Sequence, residues 1–156
     1  MKTIIFFFAV ILISTSAFAQ KIYIPSAKKY ISIVEYTDDI QTDLTKFAGG
    51  YLLLYPGEDQ NGISEGDVYI IQLEIKISKD AKTVSAIKLL QIPDKDASKK
   101  TILTNPTVYE NVFNSEELTA KFVVIKYKIK DKFYFIKGIL KKHEQDSGYD
   151  FYEKTQ

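Results

Sequence analysis

The chain has no cysteine, no tryptophan and no arginine, and only one histidine, one methionine and four prolines in 156 residues. Each gap removes a class of chemistry. Without cysteine there is no disulfide framework, no thiolate metal site, no iron–sulfur cluster and no thiol nucleophile. A single histidine, His143, cannot build a multi-histidine metal site from this chain alone. Without arginine there is no planar fork to clamp phosphate or carboxylate at two points; all 21 basic residues are lysines. They face 20 acids, for a formal charge of +1. That balance does not suit a nucleic-acid-binding domain of the usual strongly basic kind. No glycine-rich phosphate loop, dinucleotide fingerprint or Gly-x-Ser-x-Gly elbow is present either.

What is present begins with an address. Residues 1–20 read MKTIIFFFAVILISTSAFAQ. Lys2 supplies a short positive start, Ile4 to Ile13 an unbroken apolar run, and Ala17-Phe18-Ala19 the small residues that a signal peptidase reads. The pattern resembles a bacterial general-secretion signal, cut between Ala19 and Gln20. The run is shorter than the roughly 20 apolar residues needed to span a bilayer. The expectation is a cleaved signal peptide over 1–19 and a single secreted β domain over 20–156, periplasmic or extracellular. No transmembrane segment remains after cleavage, and the domain is disulfide-free in a compartment that would permit disulfides.

Strand patterns dominate the rest. In Asp67 to Lys79, Tyr69, Ile71, Leu73, Ile75 and Ile77 alternate with Gln72, Glu74, Lys76 and Ser78, a period of two that predicts a half-buried strand. Lys79-Asp80-Ala81-Lys82 reads as a turn, and Thr83 to Ile92 as the return strand ended by Pro93. Lys121 to Lys130 puts Val123, Ile125, Tyr127 and Ile129 on one face and Lys126, Lys128 and Lys130 on the other. Asp131 marks a turn, and Lys132 to Lys142 returns as a strand buried in part on both faces, with Gly138 marking a bulge or bend. Weaker strands are read at Tyr30 to Tyr36, Tyr51 to Tyr55, Val108 to Phe113 and Gly148 to Lys154. In Thr37 to Ala48, Ile40, Leu44 and Phe47 recur at helical spacing. The fold class is therefore mainly β: an antiparallel meander of about seven or eight strands closing into a barrel or a two-sheet sandwich, with one short helix near residues 38–48.

A short helix leading into Phe47-Ala48-Gly49-Gly50-Tyr51, with a meander after it, resembles the start of lipocalin-like barrels, whose first strand carries Gly-x-Trp after such a helix. Gly49 and Tyr51 are the matching residues. Tyr replaces Trp, and no Arg is available to close the barrel over the ring. The resemblance implies a barrel that holds a small apolar or amphipathic molecule. A compact sandwich with no cavity meets the same strand count.

Candidate sites follow from residue type. Tyr51, Tyr69 and Tyr127 lie on strand faces otherwise apolar and are the candidate lining of a ligand pocket, or core tyrosines whose hydroxyls find polar partners. Lys126, Lys128 and Lys130 form a candidate contact face, or an ordinary solvated strand face. Charge is uneven along the chain. From Glu35 to Glu74 there are nine acids and only Lys46; from Leu118 to His143 there are eight lysines and only Asp131. In the acidic loop Pro56 to Asp67, Asp59, Asn61 and Glu65 are a weak Ca²⁺ candidate, but Ser64 and Ile70 stand where a calcium loop needs its glycine and its closing glutamate. No metal or cofactor is expected. His143 sits in a polar run and reads as an exposed loop residue.

The expectation is a non-enzymatic secreted binding protein whose partner is an unknown small molecule or protein. In one reading it holds a small apolar or amphipathic molecule in a barrel. In the other it is a cavity-free interaction or inhibitor protein that contacts a protein or anionic surface through the Lys-rich face or the acidic loop. A hydrolase using paired acids ranks last, because nothing selects a pair.

Overall fold

The computed structural model describes residues 21–55, 58–59, 62–63, 69–145 and 148–155. The expected leader, and Asn61 and Glu65 of the acidic loop, lie outside the described residues. In chain order the strands are β1 (Lys21–Ile24), β2 (Lys29–Asp38), β3 (Gly49–Tyr55), β4 (Glu58–Asp59), β5 (Gly62–Ile63), β6 (Tyr69–Ile77), β7 (Val84–Ile92), β8 (Ala97–Ile102), β9 (Thr107–Tyr109), β10 (Val112–Asn114), β11 (Thr119–Ile129), β12 (Lys132–Lys142) and β13 (Tyr149–Thr155).

The fold is mainly β and antiparallel throughout, as the alternation predicts. Eleven strands form one continuous sheet in the order β1-β2-β11-β12-β13-β3-β6-β7-β8, with β10 also paired to β11 and β9 to β10. The short β4–β5 pair stands apart. The sheet departs from expectation in its closure and in its strand count. The sheet path runs from an edge at β1 to an edge at β8, so the described strands neither close into a barrel nor divide into a two-sheet sandwich. There are also more strands than the seven or eight read from the sequence. The additional ones are short or polar: β8 (ASKKTI) is exposed along nearly its whole length and carries no alternation to read. Val108 to Phe113, read as one strand, is the β9–β10 hairpin, turned at Glu110 in the left-handed region.

The expected helix near 38–48 is absent. Thr37 and Asp38 are paired with Val124 and Val123 of β11, and Asp39 N–H donates to the Phe122 carbonyl at 2.9 Å. Ladder bonds to a long neighbouring strand outbid a weak helical pattern. Ile40, needed for the helical stripe, is left 70% exposed. Only a 3-10 turn at Leu44–Phe47 remains, capped by Asp43, whose carboxylate accepts from Thr45 N–H at 3.0 Å. The Thr45 hydroxyl, which donates to the same oxygen at 2.6 Å, and then this N–H pull the Asp43 carboxyl below its ordinary range.

Cross-strand partners share a face of the sheet. Phe122, Ile139 and Tyr152 make one row, and Val123, Gly138 and Glu153 the next row on the opposite face. Each face carries its own core. The first gathers Phe47, Tyr51, Leu73, Ile75, Phe113, Phe122 and Ile139. Phe47 stacks on Phe122 with ring centroids 4.0 Å apart, and Phe113 of β10 helps close this face. The second gathers Ile22, Ile24, Ile31, Val123, Ile125, Leu140 and Phe151, with the β1–β2 hairpin folded against β13 and β3. Ser26 N–H anchors it by donating to Glu153 at 2.8 Å. β11 to β13 thus lie between two cores, which is why their middles are apolar on both faces.

At Gly138 there is no room for a side chain. A Cβ there would stand 2.2 Å from the Tyr152 carbonyl oxygen and 2.5 Å from the Phe151 ring. The glycine read as a bulge or bend is instead a regular ladder position facing Val123 and Glu153, its missing side chain replaced by the Phe151 ring.

Candidate functional site

β11 and β12 are eleven residues each and turn through Lys130–Asp131, with Lys130 in the left-handed region. The turn fixes the register Ile129↔Lys132, and alternation then decides which side chains meet. Lys128 falls opposite Phe133 and Lys126 opposite Phe135, on the first face. Beyond Val124 that core no longer covers the hairpin. Phe133 is left 51% exposed and Phe135 69% exposed, with Tyr134 on the opposite face also exposed. Lys126 Nζ lies 4.7 Å, and Lys128 Nζ 5.4 Å, from the Phe133 ring centre. The surface is a checkerboard of rings and ammonium groups.

Its electrostatics are graded along the hairpin. β2 brings the acidic early segment alongside the lysines. Glu35 pairs with Lys126 at 3.3 Å, Asp39 with Lys137 at 3.5 Å and Asp38 with Lys121 at 3.9 Å. The charge asymmetry of the sequence is therefore partly neutralised in space. Among the described residues, Lys128, Lys130 and Lys132 have no carboxylate partner within salt-bridge distance. The unneutralised positive charge sits where the rings are exposed. Of the three lysines singled out from the sequence, Lys126 and Lys128 share this face. Lys130 belongs to the turn.

The three candidate tyrosines are not brought together. Tyr51 is buried in the first core, its hydroxyl donating to the Phe47 carbonyl at 2.6 Å. Burial pushes its phenol well above the ordinary range. Lys154 Nζ, from β13, lies 5.8 Å from the centre of the Tyr51 ring. Tyr127 belongs to the second core and stacks on Tyr134 with centroids 5.4 Å apart. Burial, and then the Glu153 charge, raise its phenol. Tyr69 is half-buried at the start of β6, paired with Tyr55. A groove of about 530 Å³ opens on the second face of β3, β6, β7 and β8, between Gly50, Leu52, Gln72, Leu89, Lys100 and Thr155. It is an open trough on the sheet and not a barrel interior.

His143 is half-buried rather than exposed. Its Nε2 lies 2.6 Å from Asp150 Oδ1, and the Tyr55 hydroxyl donates to the same oxygen. Burial pushes the Asp150 carboxyl up to about 6. Tyrosine and histidine converge on one oxygen, which ties the ends of β3 and β12 to the start of β13. Among the described residues, no three His, Cys, Asp or Glu side chains are grouped to hold a metal ion. Asp59 of the calcium candidate belongs to β4.

Sequence reasoning did not single out Phe133, Tyr134 and Phe135, reading their strand as buried in part on both faces. The signal was nonetheless there. Once the turn is set at Lys130–Asp131, Phe133 and Phe135 must share a face with Lys128 and Lys126, and a lysine face is a solvent face. Comparison of the chain with protein-family models, with curated proteins and with solved structures gave no match.

Proposed function

We propose that the protein is an exported, non-enzymatic binding domain without an internal ligand cavity, which engages an anionic surface through the tip of the β11–β12 hairpin. The carrying observation is the coincidence, at one end of one hairpin, of two exposed phenylalanines and three lysines lacking carboxylate partners. Exposed apolar clusters ringed by one sign of charge mark contact surfaces. Both cores are filled by side chains, which favours the cavity-free reading over a ligand-filled barrel. Export is supported by the leader pattern of residues 1–19.

Retention on phosphocellulose tests the reading. Lys128→Glu/Lys130→Glu/Lys132→Glu is compared with Lys79→Glu/Lys82→Glu/Lys99→Glu, which changes net charge equally at exposed positions elsewhere. The tip variant should elute at distinctly lower salt than the control. Co-elution of the two would refute the assignment. Native mass spectrometry of protein from its own host should show no stoichiometric small molecule; one that stays bound restores the ligand-binding reading.

A further inference from the structure

We infer that the hairpin tip docks on an anionic phospholipid bilayer, seating Phe133 and Phe135 at the headgroup boundary with the lysines among the phosphates. This role rests on the anionic-surface reading above and names the surface. Three observations favour a bilayer over an acidic protein. First, every cation is a lysine, a flexible point charge, and the chain holds no arginine for the two-point geometry that fixed carboxylates reward. A leaflet of mobile phosphates asks only for point charges. Second, rings and ammonium groups alternate within the same cross-strand rows, Lys128 with Phe133 and Lys126 with Phe135. Long lysine stems lie beside the rings while their heads stay in the polar layer, the arrangement an interface between water and hydrocarbon selects. Third, charge compensation along the hairpin stops at Lys126, beside the exposed rings. Lys121, Lys126 and Lys137 are matched by Asp38, Glu35 and Asp39, and among the described residues Lys128, Lys130 and Lys132 are not matched. The two-residue turn lets this end approach a flat surface without an intervening loop.

Because the chain has no tryptophan, a single Phe135→Trp substitution gives a fluorescence signal from the tip alone. With vesicles of about seven parts phosphatidylcholine to three parts phosphatidylglycerol, its emission should shift to the blue and be quenched by brominated acyl chains. Pure phosphatidylcholine vesicles should shift it far less. Ile102→Trp, at an exposed position on edge strand β8, should not respond. Phe133→Thr/Phe135→Thr should lower vesicle partitioning by about tenfold or more, from the lost apolar burial. Each of Lys128→Gln and Lys132→Gln should lower it about fivefold. Retention on phosphocellulose with no vesicle response overturns the bilayer assignment and leaves an acidic protein as the partner. Unaltered partitioning of the Thr double variant also overturns it, since charge alone would then suffice. Loss of phosphocellulose retention strikes at the anionic-surface reading itself.

Discussion

The β11–β12 hairpin has two halves made of the same materials and put to opposite uses. At its base, Phe122, Val123, Ile139 and Leu140 are buried, with a core on each side. At its tip, Phe133 and Phe135 stand in solvent between lysines. Both halves alternate, both are aromatic, and both pair in perfect register. What differs is the neighbour across the face. The base meets Phe47 on one side and Phe151 on the other; on the tip's first face Phe133 and Phe135 are left exposed. Burial is thus a property of what crosses a strand, and an uncovered stretch of core-like sequence is a surface awaiting a partner.

The largest effects are expected at the base. Phe122→Ala removes a ring stacked on Phe47 and tilted against Tyr51, and should cost about 3–5 kcal/mol in urea unfolding. A cost below about 1 kcal/mol would mean that the two halves are not energetically distinct. Gly138→Ala forces a methyl against the Tyr152 carbonyl and the Phe151 ring. Since a backbone atom cannot swing aside, about 3 kcal/mol should be lost. The same denaturation series reads it, and a neutral result would show that β12 and β13 separate freely.

A middling, pH-dependent effect is expected beside the base, at Asp150. Burial raises its carboxyl from 3.8 to about 6, so the folded protein holds this proton more tightly than the unfolded chain. Between those values the folded state binds more protons, and stability falls as pH rises through the window. The groups facing Asp150 are the Tyr55 hydroxyl and His143. Asp150→Asn keeps an acceptor for both and cannot ionise. The melting temperature of the variant relative to the parent should therefore rise between about pH 4 and pH 7. A relative fall over that range would show that the folded protein favours the ionised carboxylate.

How much of this was written in the sequence varies with the physics of each element. β6, β7, β11 and β12 were legible because alternation with β-branched residues is a strong local signal. The turn was legible at Asp131, since two alternating runs bracket it, but Lys130 was read as part of the strand and belongs to the turn. β1 and β8 were not. The first is four residues adjoining the expected leader, and the second is an edge strand whose polar side chains leave no period. The helix expected near 38–48 failed because its stripe, Ile40, Leu44 and Phe47, is a local pattern, whereas the deciding bonds come from Val123 and Val124, over eighty residues later. Sheet closure was equally out of reach, depending on which edges meet and not on any segment's composition. At the site, the lysines were legible as a face, but the phenylalanines were assigned to a core by their hydrophobicity. Only register assigns them to the lysine face.

The smallest effect is expected at the tip, and it is the sharpest test of the comparison. Phe133→Thr/Phe135→Thr removes two aromatic rings, yet it keeps β-branched character in the strand, so the backbone preference is preserved. The rings contribute to the folded state chiefly through the two ammonium groups near Phe133, at 4.7 and 5.4 Å, a contact between exposed partners worth about 0.5–1 kcal/mol. Phe135 is more exposed still. The double variant should therefore lose at most about 1 kcal/mol in urea, several-fold less than the single Phe122→Ala change one hairpin-length away. Its slope against urea should match the parent's, since that slope follows the surface exposed on unfolding and the rings are largely exposed already. A loss approaching that of Phe122→Ala would mean that some part of the folded protein covers the tip. The tip would then be core, and the distinction between the two halves would disappear with it.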